Sequence, residues 1–181
     1  MLSKRLSIYL FCTALAVAVS SCGNKAEILE REMTTIQTWV DKYNDDNNNY
    51  TEIMSGVFSD TMHPVDGQGS PLAERGDSLY VTYELYQFTS GFSSTSTSGL
   101  IYTNREARIP NGVNWEVGPL KMVLGQGVLM EGVETALVGS APGDSVVVVM
   151  TSANGYGDKI VQQVPANTPL AWRVKVDKVI K

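Results

Sequence analysis

The sequence predicts an α+β protein: a twisted antiparallel β-sheet wrapped on one short helix, with an additional amphipathic helix ahead of it. Three observations carry this. Residues 26–43 place Leu29, Met33, Ile36, Val40 and Tyr43 at spacings of four and three, which is helical periodicity. Residues 79–88 and 170–180 alternate apolar and polar side chains, the period of a half-buried strand. From Pro119 to Trp172 the chain reads as strand, turn, short helix, Pro-Gly-Asp turn, β-branched strand, aromatic-bearing loop and final strand.

With 181 residues and 43% hydrophobic content, the chain can bury one sizeable core and carry an accessory segment. Its first 22 residues read as a leader. Lys4 and Arg5 precede an apolar run from Leu6 to Val19, short for a membrane span, which ends in Val19-Ser20-Ser21-Cys22. That tetrapeptide resembles a bacterial lipobox, in which the Cys is acylated and becomes the first residue of the mature protein; the alternative is an ordinary signal peptide with an incidental Cys. The lipobox reading implies lipidation at Cys22 and attachment to a membrane of the bacterial cell envelope, on the periplasmic side of the outer membrane. Cys12 then leaves with the leader and no thiol or disulfide remains. The expected organisation is leader 1–22, tether and N-terminal helical segment 23–60, and globular domain 61–181. A formal net charge of −5, more acidic still without Lys4 and Arg5, and the lack of a basic stripe argue against nucleic-acid binding.

Taken in order, the amphipathic helix of residues 26–43 needs a cover for its apolar face, either its own domain or another protein. The cluster Asn44 to Asn49 ends it with turn formers. Read from Asp45 this cluster begins like a calcium loop, but Tyr50 and Gly56 stand where Gly and Glu are required, so no metal is expected. Residues 50–58 read as a strand or an irregular edge. Pro64, Gly67, Gly69 and Pro71 mark a loop, with His63, the one histidine of the chain, as a surface residue. The strand of residues 79–88 puts Leu79, Val81, Tyr83 and Leu85 on one face and Tyr80, Tyr86 and Phe88 on the other. That second, aromatic face is a natural seat for the N-terminal helix. A Ser/Thr-rich loop follows, then a short strand at residues 100–103 and a long loop from Arg105 to Val117 with a turn at Asn111-Gly112. Strands at 121–124, 145–150 and 170–180 and a short helix within 128–138 complete the chain.

The chemistry is bounded by what is missing. One His and no free thiol leave too few parts for a Ser-His-Asp or Cys-His arrangement. No HExxH, CxxC or Walker pattern occurs, and Gly125-Gln126-Gly127 lacks the third Gly of a dinucleotide fingerprint.

The stretch Leu124-Gly125, Leu129-Met130-Glu131-Gly132-Val133, Pro142-Gly143-Asp144 and Gly155-Tyr156-Gly157, with Arg75-Gly76-Asp77 to Tyr83 upstream, resembles the FKBP family of peptidyl-prolyl isomerases. The resemblance covers about the C-terminal three-fifths of the chain and runs without a gap from Leu124 to Gly157. It implies an FKBP-like fold and a prolyl isomerase that needs no cofactor, acting on proline-containing segments or unfolded envelope proteins. By the same resemblance Tyr83 is a wall residue, Met130 offers its amide to a substrate carbonyl, and Tyr156 offers its hydroxyl. Tyr102, Thr103, Leu120, Leu129, Val133 and Trp172 line the pocket. Two positions depart from the family: Val133 stands where the pocket-floor Trp is expected, and Thr103 where an Asp follows the aromatic. Both point to weak activity, and leave two alternatives: a catalytically inactive FKBP-like binding module, and a structural envelope lipoprotein whose N-terminal helix dimerises.

Overall fold

The computed structural model describes residues 24–44, 48–63, 70–91 and 96–181. The leader, Cys22 and the start of the calcium-like cluster at Asp45 lie outside these residues. Helix α1 covers residues 24–43, followed by β1 (Thr51–Met54), β2 (Val57–Met62), β3 (Ser78–Gln87), β4 (Leu100–Thr103), β5 (Leu120–Val123), α2 (Glu131–Leu137), β6 (Ser145–Met150) and β7 (Leu170–Ile180). All strands join one antiparallel sheet in the order β1-β2-β6-β7-β3-β4, with β5 also on β3.

The ambiguous segment 50–58 is a hairpin. Gly56, at φ 74°, turns β1 into β2, its N–H donating to Glu52 Oε1 at 2.8 Å. β2 pairs along its whole length with β6, so the expected boundary between 60 and 61 falls inside a strand, and the sheet draws on residues from both sides of it.

Period-two patterning gives the sheet two apolar faces, and each has its own cover. On one face Leu79, Val81, Leu85, Val146, Val148, Met150, Leu170, Trp172 and Val174 pack with Val133 and Leu137 of α2. On the other, Tyr86, Phe88, Phe58, Val147, Val149 and Ala171 pack with Ile36, Trp39 and Val40 of α1. The apolar face of α1 is therefore seated on the aromatic outer face of β3. Trp39 anchors it, its ring 4.9 Å from Tyr50 and 5.6 Å from Phe88, both edge-on. Burying each such large side chain contributes about 1.5–3 kcal/mol.

A buried ionic cluster ties the end of β4 to β3. Glu84 is fully buried; it accepts from Tyr86 Oη at 2.7 Å and from Arg105 Nη1 at 2.8 Å, and Arg108 Nη2 donates to Tyr86 Oη at 3.0 Å. These bonds hold the start of the loop after β4, whose later residues reach the candidate site.

Candidate active site

β3, β4 and β7 bring three aromatic residues together because their inward positions fall in register. Leu85 pairs with both Tyr102 and Trp172, which places Tyr83 between them. The ring of Tyr83 lies 5.7 Å from that of Tyr102 and 5.5 Å from that of Trp172. Trp115, from the long loop, extends the set at 5.2 Å from Tyr102. Tyr83, Tyr102, Leu120, Leu129, Met130 and Tyr156 are all half-buried against the same core cluster.

Tyr156 approaches from the loop after β6. The Tyr83 phenol is pushed up to about 12, first by burial and then by the neighbouring phenols of Tyr102 and Tyr156. Burial raises Tyr156, and burial followed by Glu116 raises Tyr102. The three phenols are thus protonated at neutral pH and able to donate. Among the described residues the Tyr156 hydroxyl has no hydrogen-bond partner.

Met130 is the N-cap of α2, at φ −60° and ψ 144°, and its carbonyl accepts the N–H groups of Val133 and Glu134 at 2.9 and 3.0 Å. Its own N–H has no acceptor among the described residues. The segment before it is held by Glu134, a buried carboxylate on α2. Glu134 Oε2 accepts from Gly125 N at 2.8 Å and Gly127 N at 3.2 Å, and Oε1 from Leu129 N at 2.9 Å. The Met130 amide is thereby presented by a fixed backbone. The indole N–H of Trp172, buried in the same cluster, also lacks an acceptor among the described residues.

Two residues expected in the pocket are fully buried. Thr103 is fully buried, and its hydroxyl donates to Tyr83 O at 2.8 Å and accepts from Arg105 N at 3.0 Å. It therefore holds the backbone of Tyr83 and has no hydroxyl proton left for a ligand. Val133 is fully buried in the core beneath α2, and the indole beside Tyr83 comes from Trp172 on β7.

Trp115, Asn104 and Glu134 escaped sequence reasoning. Trp115 is a lone aromatic in a polar loop, which was its one signal. Asn104 accepts from Tyr83 N at 2.6 Å and donates to Val81 O at 3.1 Å, and nothing local announces such a partner across strands.

A twisted sheet clasping a short helix, with an aromatic cluster on the face that the helix covers, is an FKBP-like fold. The chain belongs to the FKBP-type peptidyl-prolyl cis-trans isomerase family, whose sequence profile matches residues 70–177. It is 32% identical over 62 residues to FK506-binding protein 1 of Aspergillus oryzae, a match covering 34% of this chain and about half, 53%, of that relative. Its fold is similar to that of FkpA from Escherichia coli, with TM-score 0.57 and 14% identity over 97% of this chain and 71% of that one. It is also similar to a peptidyl-prolyl cis-trans isomerase from Pseudomonas syringae pv. tomato, with TM-score 0.58 and 16% identity over 87% of this chain and 96% of that one.

Proposed function

We propose that the chain is a weak peptidyl-prolyl cis-trans isomerase, anchored by lipid at Cys22 in the bacterial cell envelope and acting on proline-containing segments of unfolded envelope proteins. The observation that carries the reading is the pair of unpartnered donors, Tyr156 Oη–H and Met130 N–H, on half-buried residues packed against the same core cluster as the Tyr83, Tyr102 and Trp172 rings. Prolyl isomerisation needs no titrating group. Its barrier, about 20 kcal/mol, is the loss of amide resonance as the bond twists. The twisted amide has less charge separation than the planar one and is favoured in an apolar site. Donors on the flanking carbonyls hold the chain while the bond turns. Weakness follows from Thr103, whose hydroxyl is committed to the Tyr83 backbone where the family places an acid. The same commitment favours a second reading, a binding module that grips proline-containing segments without turning them over.

A proline-limited refolding assay separates the two. The chain is expected to accelerate the slow phase, and Tyr156→Phe and Met130→Pro are each expected to reduce kcat/KM about tenfold to a hundredfold. Met130→Pro deletes the N–H, while φ −60° suits proline and the N-cap carbonyl is retained. No acceleration by the unaltered chain at micromolar concentration, with proline-peptide binding retained, selects the binding module.

A further inference from the structure

We infer that Glu32, on the N-terminal helix and outside the residues matched by the family, is a positioning residue for Tyr156. The inference rests on the prolyl-isomerase reading of that tyrosine. Glu32 is buried although it lies on a helix that is otherwise charged only on its exposed side. Its carboxylate accepts the Ser152 N–H at 2.8 Å and the Ser152 hydroxyl at 2.7 Å. A buried carboxylate takes charge-assisted bonds, which are short and strong.

Ser152 passes this hold to the loop. Its carbonyl accepts the N–H of Gly155 at 2.9 Å and of Gly157 at 2.8 Å, the two residues that flank Tyr156. Ser152 is thus held on both of its flanking peptide groups, by Glu32 at its N–H and by the loop at its carbonyl. The path from Glu32 through Ser152 to both sides of Tyr156 is therefore continuous. Gly155 has no room for a side chain, since a Cβ there would fall 2.9 Å from Leu170 Cδ1, so the loop is also pressed against β7. A second tie lies just beyond Tyr156, where Lys25 Nζ meets Asp158 Oδ2 at 2.8 Å; both side chains are exposed, which makes this bond the weaker of the two. Helix α1 thus docks by apolar contact through Ile36, Trp39 and Val40, and by the Glu32 grip where it faces the loop bearing the candidate donor.

The test uses the full chain, with two readouts: kcat/KM in proline-limited refolding and amide hydrogen exchange followed by NMR. Glu32→Ala is expected to lower kcat/KM about tenfold through misplacement of Tyr156. It should speed exchange at Gly155 and Gly157 while Val146 to Met150 stay protected. Glu32→Gln keeps both bonds, accepting from the N–H and donating to the hydroxyl oxygen, and is expected to restore both readouts. Glu32→Ala added to Tyr156→Phe should cost nothing further. If Glu32→Ala does not fold, Glu32→Asp, which withdraws the carboxylate by one methylene, is read in the same way. Unchanged exchange at Gly155 and Gly157 in the folded variants overturns the inference, as does a Glu32→Gln variant as impaired as Glu32→Ala. An inactive unaltered chain removes the catalytic reading, and the exchange readout still decides whether Glu32 holds the loop.

Discussion

Tyr83 is gripped at its backbone as firmly as in its ring. Asn104 takes its N–H, Thr103 takes its carbonyl, and the ring sits between Tyr102 and Trp172. The consequence is a phenol that keeps its proton to about 12, against 10.0 for a free tyrosine. Between these values the unfolded chain binds fewer protons than the folded one, so stability falls as pH rises. Below the unfolded value the contribution is fully present. Tyr86, Tyr102 and Tyr156 are shifted in the same direction and add to the effect. Thermal melts are expected to show the melting temperature dropping between about pH 10 and 12, less steeply for Tyr83→Phe. An equal slope in that variant would remove Tyr83 as a cause. The FKBP-like pattern singled out Tyr83, Tyr102 and Trp172, whose rings the sheet brings together. The full burial of Thr103 and Val133 was not legible, because what a side chain faces depends on strand register and on which backbone groups lack a partner nearby.

Helix α2 is short and close to the sheet, and Gly132 is the reason. A Cβ at this position would lie 3.0 and 3.2 Å from the Val57 methyls and 3.4 Å from Met150 Cε. Gly132→Ala gains about 1 kcal/mol of helix propensity. Against it stands overpacking of about 1–3 kcal/mol, because Val57 and Met150 are themselves fully buried and have little space to yield. The net expectation is a loss of about 1 kcal/mol in chemical denaturation, and a stabilised variant would show that the contact relaxes freely. At this scale the strands and both helices were readable, since period two and period 3.6 are local properties. The apolar face of residues 26–43 and the aromatic face of the third strand each called for a cover, and the two cover each other. The β1–β2 hairpin was not readable, because Tyr50 to Phe58 lacks clean alternation and owes its strand state to pairing with β6.

At the scale of the whole molecule the sheet is covered on both faces, with α2 and the candidate site on one and α1 on the other. Residue 24, the first described residue of α1, is two positions beyond Cys22 of the lipobox-like Val19-Ser20-Ser21-Cys22. The proposed anchor at Cys22 thus lies close in sequence to the helix whose Glu32 is bonded to Ser152. Mass spectrometry of the membrane fraction from a bacterial host is expected to find a chain beginning at Cys22 and carrying acyl groups. An unmodified Cys22, or a mature chain that starts elsewhere, rules the anchor out.

The sequence by itself determined the kind, order and approximate limits of the elements outside the β1–β2 hairpin and the family to which they belong, because buried faces and turn chemistry are written in spacings of a few residues. Only the tertiary structure decided which polar groups are committed and which are free. Glu32 meets a serine 120 residues away, Thr103 serves Tyr83 from the neighbouring strand, and Met130 N–H and Tyr156 Oη–H lack partners among the described residues. Hydrogen-bond partners are chosen by proximity in the folded sheet, and spacing along the chain carries no record of that.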